Sequence, residues 1–339
     1  MYGLTFRESV RSAREALERG RASICAQHKQ GSPGIQVCER LTTLLDEVLS
    51  ALWSAAVEEL PSAEASDLGA SIALVAHGGY GRRDVAPFSD VDLMILHRPE
   101  AGPGLEALAK RFLRDVFDAG LMLGQSVRVP KEACQLALQD ASIATTLMES
   151  RLLTGDASLF QEFTESFRRT MRRRERQLIS AIDQARRDER SQFGETVYLL
   201  EPNIKRSRGG LRDIQLLRWI GFARYGVADP DELQLRGHLR HADELRIRQA
   251  LEYLLRLRNE LHFHAGKPND VLDRSEQIRI ATLSGFPGTE SILPVEQFMR
   301  EYFRHTTGVR SVVSEFVANA RPQSVVTSAL GAFFGQAIE

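Results

Sequence analysis

The sequence predicts an α+β protein: a short sheet-forming segment preceded by helices and followed by a long, all-helical unit. Three observations lead there. Apolar residues recur at three- and four-residue spacing over 5–20 and 36–60. Short apolar runs of strand length follow, "SIALVA" (71–76) and "VDLMILH" (91–97), with "QSVRVP" (125–130) as a third. After Pro130 the helical period returns and strand signals fade.

In chain order, "VCERLTTLLDEVLSALW" carries the clearest N-terminal helical stripe, and "PSAEASDLGA" (61–70) reads as a small, polar break. "GLEALAKRFLRDVFDAG" (104–120) predicts a helix between the second and third strands, with Gly120 as its stop. The segments "KEACQLALQDASIATTLMESRLLTG", "LRDIQLLRWIGFARYG" and "HADELRIRQALEYLLRLRNELHFHAG" all have helical periodicity, while "VADPDE" and "LSGFPGTES" read as loops. The expected organisation is N-terminal helices over 1–66, a strand-bearing domain over 67–135, a helical domain over 136–325 and a tail over 326–339.

Composition excludes several classes. A chain of 339 residues with 43% apolar and 26% charged residues has room for two domains and a sizeable core. The formal net charge of -1 supplies no global field for nucleic acid or an anionic membrane. Cys25, Cys38 and Cys134 show no C-x-x-C spacing, which argues against a disulfide framework or zinc site and fits a reducing cytoplasm. The charged start is not a secretory signal, and no apolar run approaches the roughly 20 residues of a membrane span.

The chemistry concentrates in "HGGYGRRDVAPFSDVDLMIL" (77–96). Residues two apart on a strand share a face, so Asp90 and Asp92 project together. Two adjacent carboxylates repel unless a cation lies between them. Mg²⁺ suits that need, because it takes one or two protein carboxylates and completes its shell with water and substrate phosphates. Gly78 and Gly79, just after the first strand, let the backbone approach a ligand, and the following turn offers free N–H groups to an anion. Ser89 adds a hydroxyl and Arg82 a charge for phosphate. The pattern therefore predicts a nucleoside triphosphate held with one or two Mg²⁺ ions.

Other features are weaker signals. "KRSRGGLRD" (205–213) joins cations, a glycine pair and a helix start, so Lys205, Gly209, Gly210 and Arg212 are candidate anion or partner contacts. "FRRTMRRRER" (167–176) reads as a solvated basic face or a dock for an acidic partner. His262 and His264, two apart on a helix, do not share a face and make no metal pair. Tyr80 either stacks on a ligand or packs.

With these residues in view, "GGYGRRDVAPFSDVDL" resembles the bacterial PII uridylyltransferase/uridylyl-removing family, whose usual form is GGYGRGEL-x-P-x-SD-[IV]-DL. "GQSVR", "ATTLMESRLLTGD", "YLLEPNIKRSRGGLRDIQLLRWI" and "LHFHAGKPNDVL" resemble further segments of that family in the same order. The resemblance covers roughly residues 70–320. It implies a polymerase β-like nucleotidyltransferase domain with a mixed sheet, flanked by N-terminal helices and followed by an all-helical domain. It also implies transfer of UMP from UTP to a tyrosine of a PII-type nitrogen signal protein. The alternatives are a non-catalytic nucleotide-binding module, or a nucleotidyltransferase with another nucleotide or acceptor. Arg83 and Asp84 depart from the usual Gly-Glu, Met122 and Gln125 stand where relatives can carry Glu and His, and for the third carboxylate that the related polymerases carry on a later strand Glu149 is a candidate, its alternative being a helix-surface or helix-capping carboxylate. The family's uridylyl-removing activity belongs to a hydrolase domain built on a His-Asp pair. No histidine here is followed by aspartate, so removal is not expected of this chain.

Overall fold

The computed structural model describes residues 6–321 apart from Pro103, and the tail expected over 326–339 lies outside them. Three helices, α1 (Glu8–Lys29), α2 (Gly34–Glu58) and α3 (Ser62–Gly69), precede the first strand, β1 (Ile72–Ala76). A single turn, α4 (Gly78–Gly81), leads to β2 (Val91–His97), α5 (Gly104–Asp118) and β3 (Leu123–Arg128). Next come α6 (Pro130–Gln139), α7 (Ala141–Leu147) and β4 (Arg151–Gly155). The remainder is helical: α8 (Ala157–Arg173), α9 (Glu175–Phe193), α10 (Leu211–Tyr225), α11 (Pro230–Leu235), α12 (His241–Ala265), α13 (Arg274–Leu283) and α14 (Pro294–Ala320).

The four strands form one mixed sheet in the order β3-β2-β1-β4. β1 runs antiparallel to both β2 and β4, whereas β2 and β3 are parallel. Parallel neighbours need a crossover, and α5 is that crossover. The mixed sheet with helices before and after it agrees with the expected fold class.

Side-chain alternation explains why β1 reads as an unbroken apolar run. Ile72, Leu74 and Ala76 face a cluster with Leu49, Leu52, Trp53 and Phe112 from the helices α2 and α5. Ala73 and Val75 face the opposite cluster, with Phe163 and Phe167 of α8. A strand buried on both faces cannot alternate polar with apolar residues. Trp53 and Phe112 meet edge to face at 5.1 Å, a geometry that adds about 0.5–1.5 kcal/mol beyond their burial. The second cluster continues through Ile214, Leu217 and Ile220 of α10 to Val309 and Val313 of α14, so the sheet and the helical half share apolar packing. A polar joint reinforces it: the backbone N–H groups of Gly34 and Ile35, at the start of α2, donate to the Glu252 carboxylate of α12 at 2.5 and 3.0 Å. These orphan helix-start donors acquire an acceptor from another element instead of a local cap.

Three local expectations are corrected. "RLLTG" is strand β4, not the end of a helix, although it falls in the span read as all-helical. Four half-buried residues and an exposed glycine carry little periodic signal of their own, and pairing with β1 decides their state. The polar break at 61–70 contains α3, whose small residues bury chiefly Leu68. "VADPDE" opens into α11, where Asp229 caps the helix by accepting from Asp231 and Glu232 N–H groups.

Candidate active site

The loop after β1 and the first residues of β2 meet the helical half in a cleft of about 500 Å³. Asp90 precedes β2 and is exposed, and Asp92 is the second residue of β2 and half-buried. Both line the cleft. The His77 N–H donates to the Asp92 carbonyl at 3.1 Å, which ties the glycine loop to the strand.

Asp92 occupies a space made by two glycines. A Cβ on Gly78, whose φ is +58°, would lie 2.9 Å from Asp92 Oδ2. A Cβ on Gly124, directly opposite in the parallel β2–β3 register, would lie 2.3 Å from Asp92 Oδ1. Burial, and then the charge of Asp90, raise the Asp92 pKa above the ordinary carboxylate value. A cation between the two would relieve that repulsion. The donors are hard oxygens only, and among the described residues no three His, Cys, Asp or Glu side chains converge on a metal position. Two carboxylates with an open remainder fit Mg²⁺ completed by phosphates and water.

Gly79 works differently from Gly78. Its φ is not positive, and an added Cβ would meet only Arg82 Nη2, at 3.8 Å. The fold therefore does not require glycine at 79, and its open side belongs to the cleft. Gly81, by contrast, is required by the fold: a Cβ there would lie 1.8 Å from the Glu149 carbonyl oxygen.

Arg82 and Glu149, both at the cleft, pair with each other. The Arg82 side chain is buried, donates through Nε to Asp84 at 2.9 Å, and pairs through Nη1 with Glu149. Burial opposes the Arg82 charge, but the Glu149 and Asp84 carboxylates outweigh it and raise its pKa. The other Glu149 oxygen accepts from Trp219 Nε1 at 3.0 Å. Glu149 is thus neither an open carboxylate beside Asp92 nor an exposed helix cap. Tyr80 is also an anchor, buried with its hydroxyl donating to Asp46 at 2.6 Å and Arg151 over its ring. Arg83 takes the left-handed backbone, at φ 69°, where the resembling family usually has glycine. Its guanidinium reaches Thr43 and Asp46.

The helical half contributes cations. Lys205 lines the cleft, and among the described residues no ion pair holds its ammonium. Its pKa is pushed down to about 8, first by burial and then by Arg258 and Arg212. Arg212 also lines the cleft, stacked 5.5 Å from the Trp219 ring and bonded to Gln215 at 2.8 Å. Gly209 and Gly210 do not line it. A Cβ on Gly209 would lie 2.2 Å from the Thr306 carbonyl, and one on Gly210 would lie 2.4 Å from the Ile204 carbonyl. The Gly209 N–H, expected to face an external anion, donates to Asp213 Oδ2 of the same chain at 2.7 Å.

The sequence-predicted residues Gly78, Gly79, Arg82, Ser89, Asp90, Asp92, Lys205 and Arg212 therefore border one cleft. Arg258, Asp270 and Trp219 border it as well, although no local pattern singles them out, and none marks the role of Gly124. His262 is buried and His264 exposed, so they do not form a pair. On α8 the arginines at 168, 169, 172 and 173 form a solvent-facing side opposite buried Phe163, Phe167 and Met171.

A mixed four-stranded sheet with a glycine loop after one strand and paired aspartates opening the next is the architecture of a nucleotidyltransferase domain. Residues 168–317 match the family described as GlnD PII-uridylyltransferase. The chain is 33% identical over 329 residues to the bifunctional uridylyltransferase/uridylyl-removing enzyme of Phenylobacterium zucineum, covering 96% of this chain and 35% of that protein. Proteins of the same name from Erythrobacter litoralis (34% over 313 residues, 91% of this chain and 34% of that protein) and Burkholderia lata (31% over 312, 92% and 35%) are similar to it. The chain is a relative of the PII uridylyltransferase/uridylyl-removing enzymes and spans about a third of the length of the curated relatives it matches.

Proposed function

We propose that this chain transfers UMP from UTP to a hydroxyl of an acceptor protein, a tyrosine of a PII-type signal protein, with release of pyrophosphate. The observation that carries the proposal is the Asp90–Asp92 pair in a cleft that Lys205 also lines. The names of the relatives supply the nucleotide and the acceptor class.

In this reading the acceptor hydroxyl gives up its proton to solvent as its oxygen attacks the α-phosphorus, and the bond from that phosphorus to the α–β bridging oxygen breaks in line, so that pyrophosphate leaves with the bridging oxygen. Asp90 and Asp92 hold one or two Mg²⁺ ions, which when bound neutralise charge on the phosphates. Gly79 leaves space at the loop for the triphosphate to approach backbone, and Gly78 beside it makes room for Asp92. Lys205 and Arg212 supply positive charge for the departing pyrophosphate. Ser89 positions the loop before Asp90. The helical half orients the acceptor protein, and neither nucleic acid nor membrane is a partner. No helix of the described residues is long and apolar enough to cross a membrane.

A second reading, nucleotide binding without turnover, is favoured by one observation: Glu149 is engaged by Arg82 and Trp219, and no third carboxylate joins Asp90 and Asp92 among the described residues. Incubation with Mg²⁺, labelled UTP and a PII protein separates the two. Label on the protein supports transfer, while bound nucleotide without transfer supports the binding module.

A further inference from the structure

Asp270 lies just after α12, at a junction of the two walls of the cleft. Its Oδ1 accepts from Arg258 Nε at 2.7 Å and is 3.1 Å from His262 Nε2. Its backbone carbonyl accepts from Ile204 N–H at 2.8 Å, and Leu272 N–H donates to Pro202 at 2.9 Å. Asn203 and Val271 form an isolated antiparallel bridge between these bonds. Asn203 Oδ1 in turn accepts from the backbone N–H groups of Lys205 and Arg206, at 3.1 and 2.8 Å. The backbone that carries Lys205 is thus fastened to the Asp270 segment.

The same carboxylate reaches the metal side. Arg258, held by Asp270, donates through Nη2 to Ser89 Oγ at 3.3 Å. Ser89 Oγ also accepts from Ala86 N–H at 3.3 Å, and the next residue is Asp90. One connected path therefore runs from Lys205 through Asp270 and Arg258 to the loop before the aspartates.

We propose that Asp270 is a positioning residue for the phosphate end of the cleft, its carboxylate holding Arg258 against the Ser89 loop while its backbone carbonyl ties the segment that presents Lys205. The proposal rests on the nucleotide-transfer reading. Charge gives the acid its second task. Arg258, Arg206 and Arg212 crowd Lys205, and Asp270 is the carboxylate that counters them there, alongside Asp92 across the cleft. Burial would discourage ionisation of Asp270, but the bonds from His262 and Arg258 hold it well below the ordinary carboxylate range. An amide at 270 would keep the shape and lose this compensation.

The test is calorimetric binding of Mg-UTP and of UMP to wild type, Asp270→Asn, Arg258→Gln and the double variant, beside thermal melts. Asp270→Asn should weaken Mg-UTP about tenfold, the scale of losing the partner of a ligating group. UMP, which lacks the β- and γ-phosphates, should change less than about twofold, within ordinary non-additivity. The double variant should bind Mg-UTP no worse than the weaker single, because both act on one path. A general packing defect would instead weaken UTP and UMP alike. If Asp270→Asn does not melt cooperatively, Arg258→Gln decides the question by the same criterion. Folded variants with wild-type Mg-UTP affinity, or with equal losses for both ligands, overturn the proposal alone. Wild-type protein that binds neither UTP nor ATP overturns the nucleotide reading and this proposal with it.

Discussion

A side chain on Gly124 would place its Cβ 2.3 Å from Oδ1 of Asp92, its partner across the parallel β2–β3 register. The neighbouring strand leaves a gap where the carboxylate stands. Gly124→Ala should push Asp92 out of place and reduce transfer by about 100-fold, the scale of an ångström-sized misplacement at a reacting centre. The half-buried carboxylate can swing toward the cleft, so the stability cost should stay near about 1 kcal/mol, the low end for overpacking. Gly79→Ala, whose Cβ meets only Arg82 Nη2 at 3.8 Å, should melt like wild type. Transfer assays beside thermal melts check both.

Asp92→Asn should abolish transfer and raise the melting temperature at neutral pH. The folded-state pKa of Asp92 is raised by burial and by Asp90, so folding disfavours its ionised form. That penalty is absent below the unfolded carboxylate pKa of about 3.9 and grows as pH rises through the folded value. The gain over wild type should therefore vanish in acid. A neutral-pH melt below wild type would contradict the repulsion assigned to the pair.

Lys205 gives a pH signature to nucleotide binding. With its pKa pushed down to about 8, the ammonium is charged at neutral pH and loses its proton in mild alkali. Phosphate binding uses the charged form, so affinity for Mg-UTP should hold steady below pH ~7 and decline as pH rises through about 8. Lys205→Arg keeps its charge over that range and should flatten the decline. Titration calorimetry across pH measures it.

Arg83 carries a left-handed backbone, at φ 69°, in a position suited to glycine. Comparing Arg83→Gly with Arg83→Ala removes the side-chain contacts in both cases and isolates the backbone. The glycine variant should be more stable than the alanine variant by about 1 kcal/mol. Denaturant melts of the two check the sign.

Local chemistry is legible in the sequence where a short segment contains all its parts. Gly78, Asp90 and Asp92 lie within fifteen residues, and strand and turn geometry alone bring them together. Lys205 is legible from its cationic, glycine-rich segment, but the glycines beside it serve Thr306 and Ile204, which only packing reveals. Charge near a glycine loop suggests a phosphate contact in Arg82, and the resemblance to polymerases with a third carboxylate suggests a metal ligand in Glu149. Their mutual burial, 67 residues apart in sequence, is a tertiary fact. β4 escapes for the same reason, since its state depends on pairing with β1. Arg258 and Asp270 flank the His262–His264 segment, and nothing local connects that stretch to Ser89, 169 residues away from Arg258.

The most direct test is mass measurement of a PII-type protein after incubation with this chain, Mg²⁺ and UTP. One added UMP on a tyrosine, lost when Asp92→Asn replaces wild type and when Mg²⁺ is chelated, is the expected result. An unmodified acceptor despite bound UTP, or modification that survives Asp92→Asn, would contradict the assignment of Asp90 and Asp92 as the centre of a nucleotidyl transfer.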